Sequence, residues 1–211
     1  MTRDVLRRLA RLASSSLLRL AVRGLENVPH EGGLLLAMNH LGDADPILVI
    51  GFAPREVEVI GKAEILRWPI FGSLARDYGM IPVRRGQPDR ETLNMALDVL
   101  KSGKALLIAP EGRESRSHTL ETAKGGAAFL ALHSRVPIVP IAITGTENRK
   151  VYSAWMRLKR PCVTLTFGQP FTLPPNIRRQ DAADLIMRRI SELLPPEYRG
   201  VYGSQSVELE Q

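Results

Sequence analysis

One cysteine, Cys162, stands in 211 residues. No internal disulfide can form, and a reducing compartment is expected. Aromatic residues make up only 5% and none precedes Phe52. That argues against the basic-and-aromatic surface of a nucleic-acid binder, so no nucleic-acid partner is expected. Apolar runs stop well short of the roughly 20 residues that span a bilayer. The N-terminal apolar stretch is broken by Arg3, Arg7, Arg8, Arg11 and Arg19, so neither a transmembrane helix nor a cleavable signal peptide is expected. The four histidines, His30, His40, His118 and His133, include no i, i+4 pair, and no metal site is expected. What remains is ordinary: 44% hydrophobic and 24% charged residues describe a soluble globular chain with a sizeable core.

Charge is the first uneven feature. Residues 1–25 hold six arginines and one aspartate, a net +5 of the total +7. At 100° per residue, Val5, Leu6, Leu9, Leu12, Ala13, Ser16, Leu17 and Leu20 share one arc, and most arginines lie opposite. The pattern predicts an amphipathic helix over residues 1–24 lying on an anionic membrane surface. The same wheel also describes a helix docked on its own domain with a solvated basic face.

From residue 32 short apolar runs alternate with helix-like stretches. Strands are predicted at 32–38, 56–61, 80–83, 105–109, 138–143 and 162–168. Helices are predicted from Asp45-Pro46, around 65–78, and over 89–100, 123–133 and 182–194. Apolar strands separated by helices predict an α/β fold, a single domain over residues 25–200 with a largely parallel or mixed sheet covered by helices. Pro137 and Pro140 weaken the 138–143 strand or place it near an edge. Residues 201–211 read as a flexible tail.

Three polar clusters follow predicted strands: Asn39-His40, Arg84-Arg85-Gly86 and Pro110-Glu111-Gly112-Arg113. In open α/β sheets the crevice lies beyond the carboxyl ends of the strands, so parallel neighbours would bring these loops together. His40 and Asp45 are spaced for a carboxylate to fix the imidazole's tautomer and orientation. An isolated pair of this kind also describes a helix cap beside an ordinary loop histidine. No nucleophilic side chain adjoins His40, so a base here would activate a substrate hydroxyl or water. Arg84, Arg85 and Arg113 suit an anionic substrate, because guanidinium forks match phosphate oxygens.

The ordered set NHLGDADP, GKAEILRWPIFGSLARDYGMIPVRRG, APEGRESR, KGGAAFLA and VPIVPIAITG resembles the glycerophospholipid acyltransferase family over roughly residues 25–170. The resemblance implies that His40 is a general base held by Asp45. An acceptor hydroxyl would attack the thioester of an acyl-CoA or acyl-carrier-protein co-substrate, with no acyl-enzyme and no cofactor. It further implies Arg85 and Lys62 near the acceptor's phosphate, and Glu111, Gly112 and Ser115 in the acceptor-binding block.

Three positions depart from the family pattern. Gly42 stands where serine is usual. Arg113 and Glu114 occupy the usual threonine and arginine positions, so Arg113 or Arg116 would have to replace that arginine. Arg84 replaces a frequent acidic residue. The expected activity is O-acylation of a lysophospholipid, foremost 1-acylglycerol-3-phosphate to phosphatidic acid, by a peripheral protein of the membrane's cytoplasmic face. Acylation of another lipid alcohol, thioester hydrolysis, and plain anionic-lipid binding are the alternatives.

Overall fold

The computed structural model describes residues 2–83 and 90–203. Seven strands form one sheet: β1 (Arg19–Arg23), β2 (Leu34–Met38), β3 (Val57–Lys62), β4 (Ile81–Val83), β5 (Ala105–Ile108), β6 (Ile138–Thr144) and β7 (Cys162–Phe167). Their order is β1-β7-β6-β2-β5-β3-β4. The helices are α1 (Arg3–Leu17), α2 (Ala44–Phe52), α3 (Phe71–Tyr78), α4 (Arg90–Lys101), α5 (Gly126–Ser134), α6 (Asn148–Met156) and α7 (Arg179–Glu192).

Central strand β2 is buried at every position, as an all-apolar run in a covered sheet requires. Strand alternation sends Leu34, Leu36 and Met38 into a core with Leu6, Leu48, Val49 and Tyr78 from α1, α2 and α3. Leu35 and Ala37 face the other way, toward Leu97, Leu130 and Ile186 of α4, α5 and α7. Strands β6, β2, β5, β3 and β4 run parallel, so their carboxyl ends share one edge. Only β7 runs against β6, and β1 follows β7 in parallel.

The structure corrects the sequence reading in five places. The N-terminal helix ends at Leu17, not near residue 24: Leu18 is extended, and Arg19–Arg23 forms β1, paired in register with β7. Leu20 falls on the helical arc but equally fits the alternation of RLAVR, whose leucine and valine turn inward. Strand β6 is interior despite Pro140. The ring nitrogen lies on the β7 side, between Gly168, whose N–H donates to the Pro140 carbonyl, and Phe171, which pairs with Ile138. Facing Gly168 in a hydrogen-bonded pair, it forgoes one reciprocal bond, while the Gly168 N–H and the Ile138–Phe171 pair hold the strand to its neighbour on either side.

The helix expected over 65–78 divides into a 3-10 turn, Ala63–Arg67, and α3, because Trp68 is extended ahead of Pro69, as a residue preceding proline should be. Helix α6 was not expected at all. Finally, the predicted tail begins too early: Tyr202 is buried, and its hydroxyl donates to Asp184 at 3.2 Å. Among the described residues no helix is long and apolar enough to cross a membrane.

Helix α1 inverts the simple amphipathic picture. Arg3 forks onto Glu58 at 2.6 and 2.8 Å and lies over Tyr78. Arg7 and Arg11 donate to the carbonyls of Ile50, Ala53 and Gly51 at the end of α2. Those are the carbonyls that a helix C-terminus leaves without intrahelical partners. Gly51 permits the crossing, since a Cβ there would sit 3.0 Å from the Arg11 nitrogen. With these arginines and Leu6 turned inward, Val5, Leu9, Leu12 and Leu17 are exposed.

Candidate active site

The site is built outward from the end of β2. The backbone N–H of Asn39 donates to Ile141, and its side-chain amide then supplies one more rung. Nδ2 donates to the Ile143 carbonyl at 2.8 Å, and Oδ1 accepts the Ile143 N–H at 2.7 Å. The strand end is thereby pinned to β6 just before His40 leaves the sheet. The His40 carbonyl accepts the Ser115 N–H at 2.7 Å, tying the first loop to the loop after β5.

His40 Nδ1 lies 2.8 Å from Asp45 Oδ2. The same oxygen accepts the N–H groups of Leu41 at 2.6 Å and Gly42 at 2.9 Å. Asp45 is fully buried in the first turn of α2. The two readings of the His-x4-Asp spacing therefore merge, since the carboxylate orders the turn into the helix and holds the imidazole at once. Burial of the ring disfavours its charge, but the Asp45 hydrogen bond and the carboxylates of Asp45, Glu114 and Glu111 outweigh it, and His40 titrates above the ordinary imidazole value. With Nδ1 engaged, Nε2 is the nitrogen left for a substrate.

The loop after β5 turns at Gly112, whose φ of +69° favours glycine and whose N–H donates to Ala109. A Cβ there would come within 2.9 Å of the Lys124 side chain. Glu111 is almost wholly buried. Its Oε2 accepts the Glu121 N–H at 3.1 Å, while Oε1 has no partner among the described residues. Burial pushes the carboxyl up to about 7. Ser115, also buried, donates to the Thr119 carbonyl at 2.6 Å. An open cleft is walled by Glu111, Arg113, Glu121 and Lys124. His40 does not line it but lies at the crossing of the two loops.

The basic residues expected to bind an anion are engaged differently where the structure describes them. Arg113, one of the two candidates to replace the motif arginine, is paired with Glu121 at 2.5 Å. Arg116 gives its backbone N–H to Glu121 and is exposed. Lys62 closes β3, in register with Val83. Arg84 and Arg85 lie outside the described residues. Glu114, at the usual arginine position, accepts from Asn148 at 3.1 Å. Burial first and the Asp43 charge next raise its pKa, and the charges of His40 and Lys62 act on it as well.

The start of α6 is the part that sequence reasoning missed. Asn148 Oδ1 accepts the Asp43 N–H at 3.0 Å, and the Tyr152 hydroxyl donates to Asp43 at 3.2 Å. A Cβ at position 42 would lie 2.1 Å from the Thr146 carbonyl, which explains glycine in place of serine. The available signal was position: Thr146-Glu147-Asn148 also follows a strand at the same sheet edge.

A family model described as Acyltransferase matches residues 19–144. The 1-acyl-sn-glycerol-3-phosphate acyltransferase of Bacillus subtilis is 27% identical over 175 residues, 80% of this chain and 84% of that protein. The lyso-ornithine lipid O-acyltransferase of Pseudomonas aeruginosa is 34% identical over 137 residues, 64% of this chain and 51% of that one. Thus the chain spans most of the first relative and about half of the second. Among solved structures, the 1-acyl-sn-glycerophosphate acyltransferase of Thermotoga maritima shares the fold, with a TM-score of 0.71 at 21% identity over 90% of this chain and 79% of that one.

Proposed function

The chain belongs to the acyltransferase family, and from that premise we propose that it acylates a hydroxyl of a lysophospholipid at a membrane surface. The donor is an acyl thioester of CoA or acyl-carrier protein, and the first acceptor to try is 1-acylglycerol-3-phosphate, giving phosphatidic acid. The observation that carries the reading is the imidazole of His40, fixed through Nδ1 by a buried carboxylate at the edge where the loops converge.

In this reading Nε2 of His40 takes the proton of the acceptor hydroxyl as its oxygen bonds to the thioester carbonyl carbon. The tetrahedral adduct collapses by breaking the carbon–sulfur bond, and the imidazolium returns its proton to the thiolate. Ester and thiol leave, and the enzyme ends as it began. Asp45 stabilises the imidazolium and prevents the ring from turning. Glu111, with one buried oxygen unpaired, is suited to hydrogen-bond an acceptor oxygen. Lys62 and Arg116, with Arg85 as the family resemblance assigns it, would hold the phosphate.

One feature favours a second acceptor. Glu114 replaces an arginine, and Arg113 is neutralised by Glu121, so the loop after β5 offers a phosphate less positive charge than the family pattern would. A lysolipid with an ammonium head group would suit it, and the Pseudomonas relative is named for such an acceptor class. The outward apolar side chains of α1 support a peripheral position on the bilayer.

The test is thiol release from palmitoyl-CoA with and without acceptor, using the wild type and His40→Ala. Acceptor-dependent release that falls about 10²–10⁴-fold in the variant is expected. Release without acceptor would mean a thioesterase. Release unaffected by His40→Ala would overturn the assignment of the base. Running 1-acylglycerol-3-phosphate beside lyso-ornithine lipid decides between the acceptors.

A further inference from the structure

Helix α6 leads from the catalytic loop to the end of α1. Its first turn holds Asp43 and Glu114 through Asn148. Near its other end Trp155 donates to the Leu17 carbonyl at 3.1 Å. Beyond it Arg160 donates to the carbonyls of Ser15 and Leu18. The turn between these ties is the most exposed apolar point of the described surface: Met156 is 81% and Leu158 97% exposed.

Leu158 is anomalous in its backbone as well, at φ 53°. The N–H groups of Arg157, Leu158 and Lys159 bond back to Ala154 and Trp155, making a helix C-terminal turn whose left-handed position is normally glycine. A leucine there is strained and sets its whole side chain in water, two penalties that glycine would remove together. Beside it Arg157 and Lys159 are exposed, and neither forms an ion pair with another described residue. Apolar side chains flanked by such cations fit the boundary between head groups and acyl chains of an anionic bilayer.

We propose that Met156 and Leu158 are a second membrane contact, continuous with the exposed face of α1, that seats the bilayer beside the catalytic loop. The proposal rests on the reading of α1 as a membrane-surface helix. A nine-residue helix is about 13 Å long, so the His40 loop stands one short helix away from this contact. A lysolipid seated at the interface would have its free hydroxyl within reach of that loop without leaving the bilayer. The two contacts together fix the tilt of the domain, which a single helix cannot do.

The experiment is co-sedimentation of the full chain with phosphatidylglycerol–phosphatidylcholine vesicles. The double variant Met156→Ser, Leu158→Gly should bind about tenfold or more weakly. Its thermal stability should be equal or higher, because glycine suits the left-handed position, so weaker binding would not reflect unfolding. Leu158→Trp should bind more tightly, and turnover of a short, soluble acyl pair should be unchanged in both. Leu9→Glu with Leu12→Glu tests α1 separately. If the α1 variant loses vesicle binding while the turn variant keeps it, the second contact is refuted and the first stands. If both keep it, the membrane reading falls altogether. Conversion of a dimer to a monomer by the turn variant, without vesicles, would assign the patch to a second copy of this chain and overturn the proposal.

Discussion

At the residue scale, the pairs that matter are those whose environments set their protonation. In the proposed mechanism His40 must be the neutral imidazole, and its raised pKa would place the acidic limb of the rate profile above the ordinary imidazole value of about 6.5. Asp45→Asn should move that limb to lower pH while reducing kcat, since the amide no longer supports the imidazolium. A pH–rate profile of both proteins checks this, and an unmoved limb would mean that another group sets it. Glu111 offers a stability test of the opposite kind. Folding raises its pKa to about 7, so its favourable contribution exists below the unfolded value and disappears as pH rises toward and through 7. Glu111→Gln, which can still accept the Glu121 N–H, should therefore be more stable than wild type at pH 8, by on the order of 3 kcal/mol at most. That advantage should vanish by pH 4. Denaturant melts at the two pH values measure it.

At the element scale, α1 separates inward docking from an exposed apolar face along one helix. Arg7 and Arg11 satisfy the last carbonyls of α2, whereas Leu9 and Leu12 touch no core. Arg7→Ala should lower stability by about 1–2 kcal/mol, because buried-side carbonyls lose a charged donor, with little effect on vesicle affinity. Leu12→Ser should do the reverse. The location of β1 also decides how the membrane reading can be tested: removing residues 1–23 would take an edge strand from the sheet, so substitutions within Arg3–Leu17 are the sound choice. Gly42→Ser would force the 145–148 segment away from the catalytic loop. It should lower both stability and kcat, which thermal melts and initial rates will show.

At the scale of the whole molecule, a net charge of +7 favours an anionic surface in the proposed bilayer position. Binding to phosphatidylglycerol vesicles should weaken as salt rises and the Debye length shrinks from roughly 10 Å at 0.1 M toward 3 Å at 1 M. Turnover of a vesicle-borne acceptor should follow it, while that of a soluble short-chain pair should not. Salt-independent vesicle binding would put the weight on the apolar side chains alone. Cations already spent inside the fold, Arg3 on Glu58 and Arg113 on Glu121, contribute little to this attraction.

The sequence by itself determined the sheet-and-helix alternation, the loops at the carboxyl ends of β2 and β5, and the family. Apolar strands, glycine turns and ordered motifs are local signals that survive without a partner. It also put His40 and Asp45 five residues apart, near enough for the chain's own turn into α2 to join them. Only the tertiary structure decided that 19–23 is a strand, because its period suits either element until β7 is beside it. Likewise Pro140 is tolerated in the sheet interior because its carbonyl still accepts from Gly168 and Ile138 pairs with Phe171 beside it, so a single bond is forgone. Whether an arginine is available to a substrate was equally out of reach of the sequence. Arg113 and Arg116 lie three residues apart in one loop, and it is the fold that brings Glu121 against the guanidinium of one and leaves the other exposed.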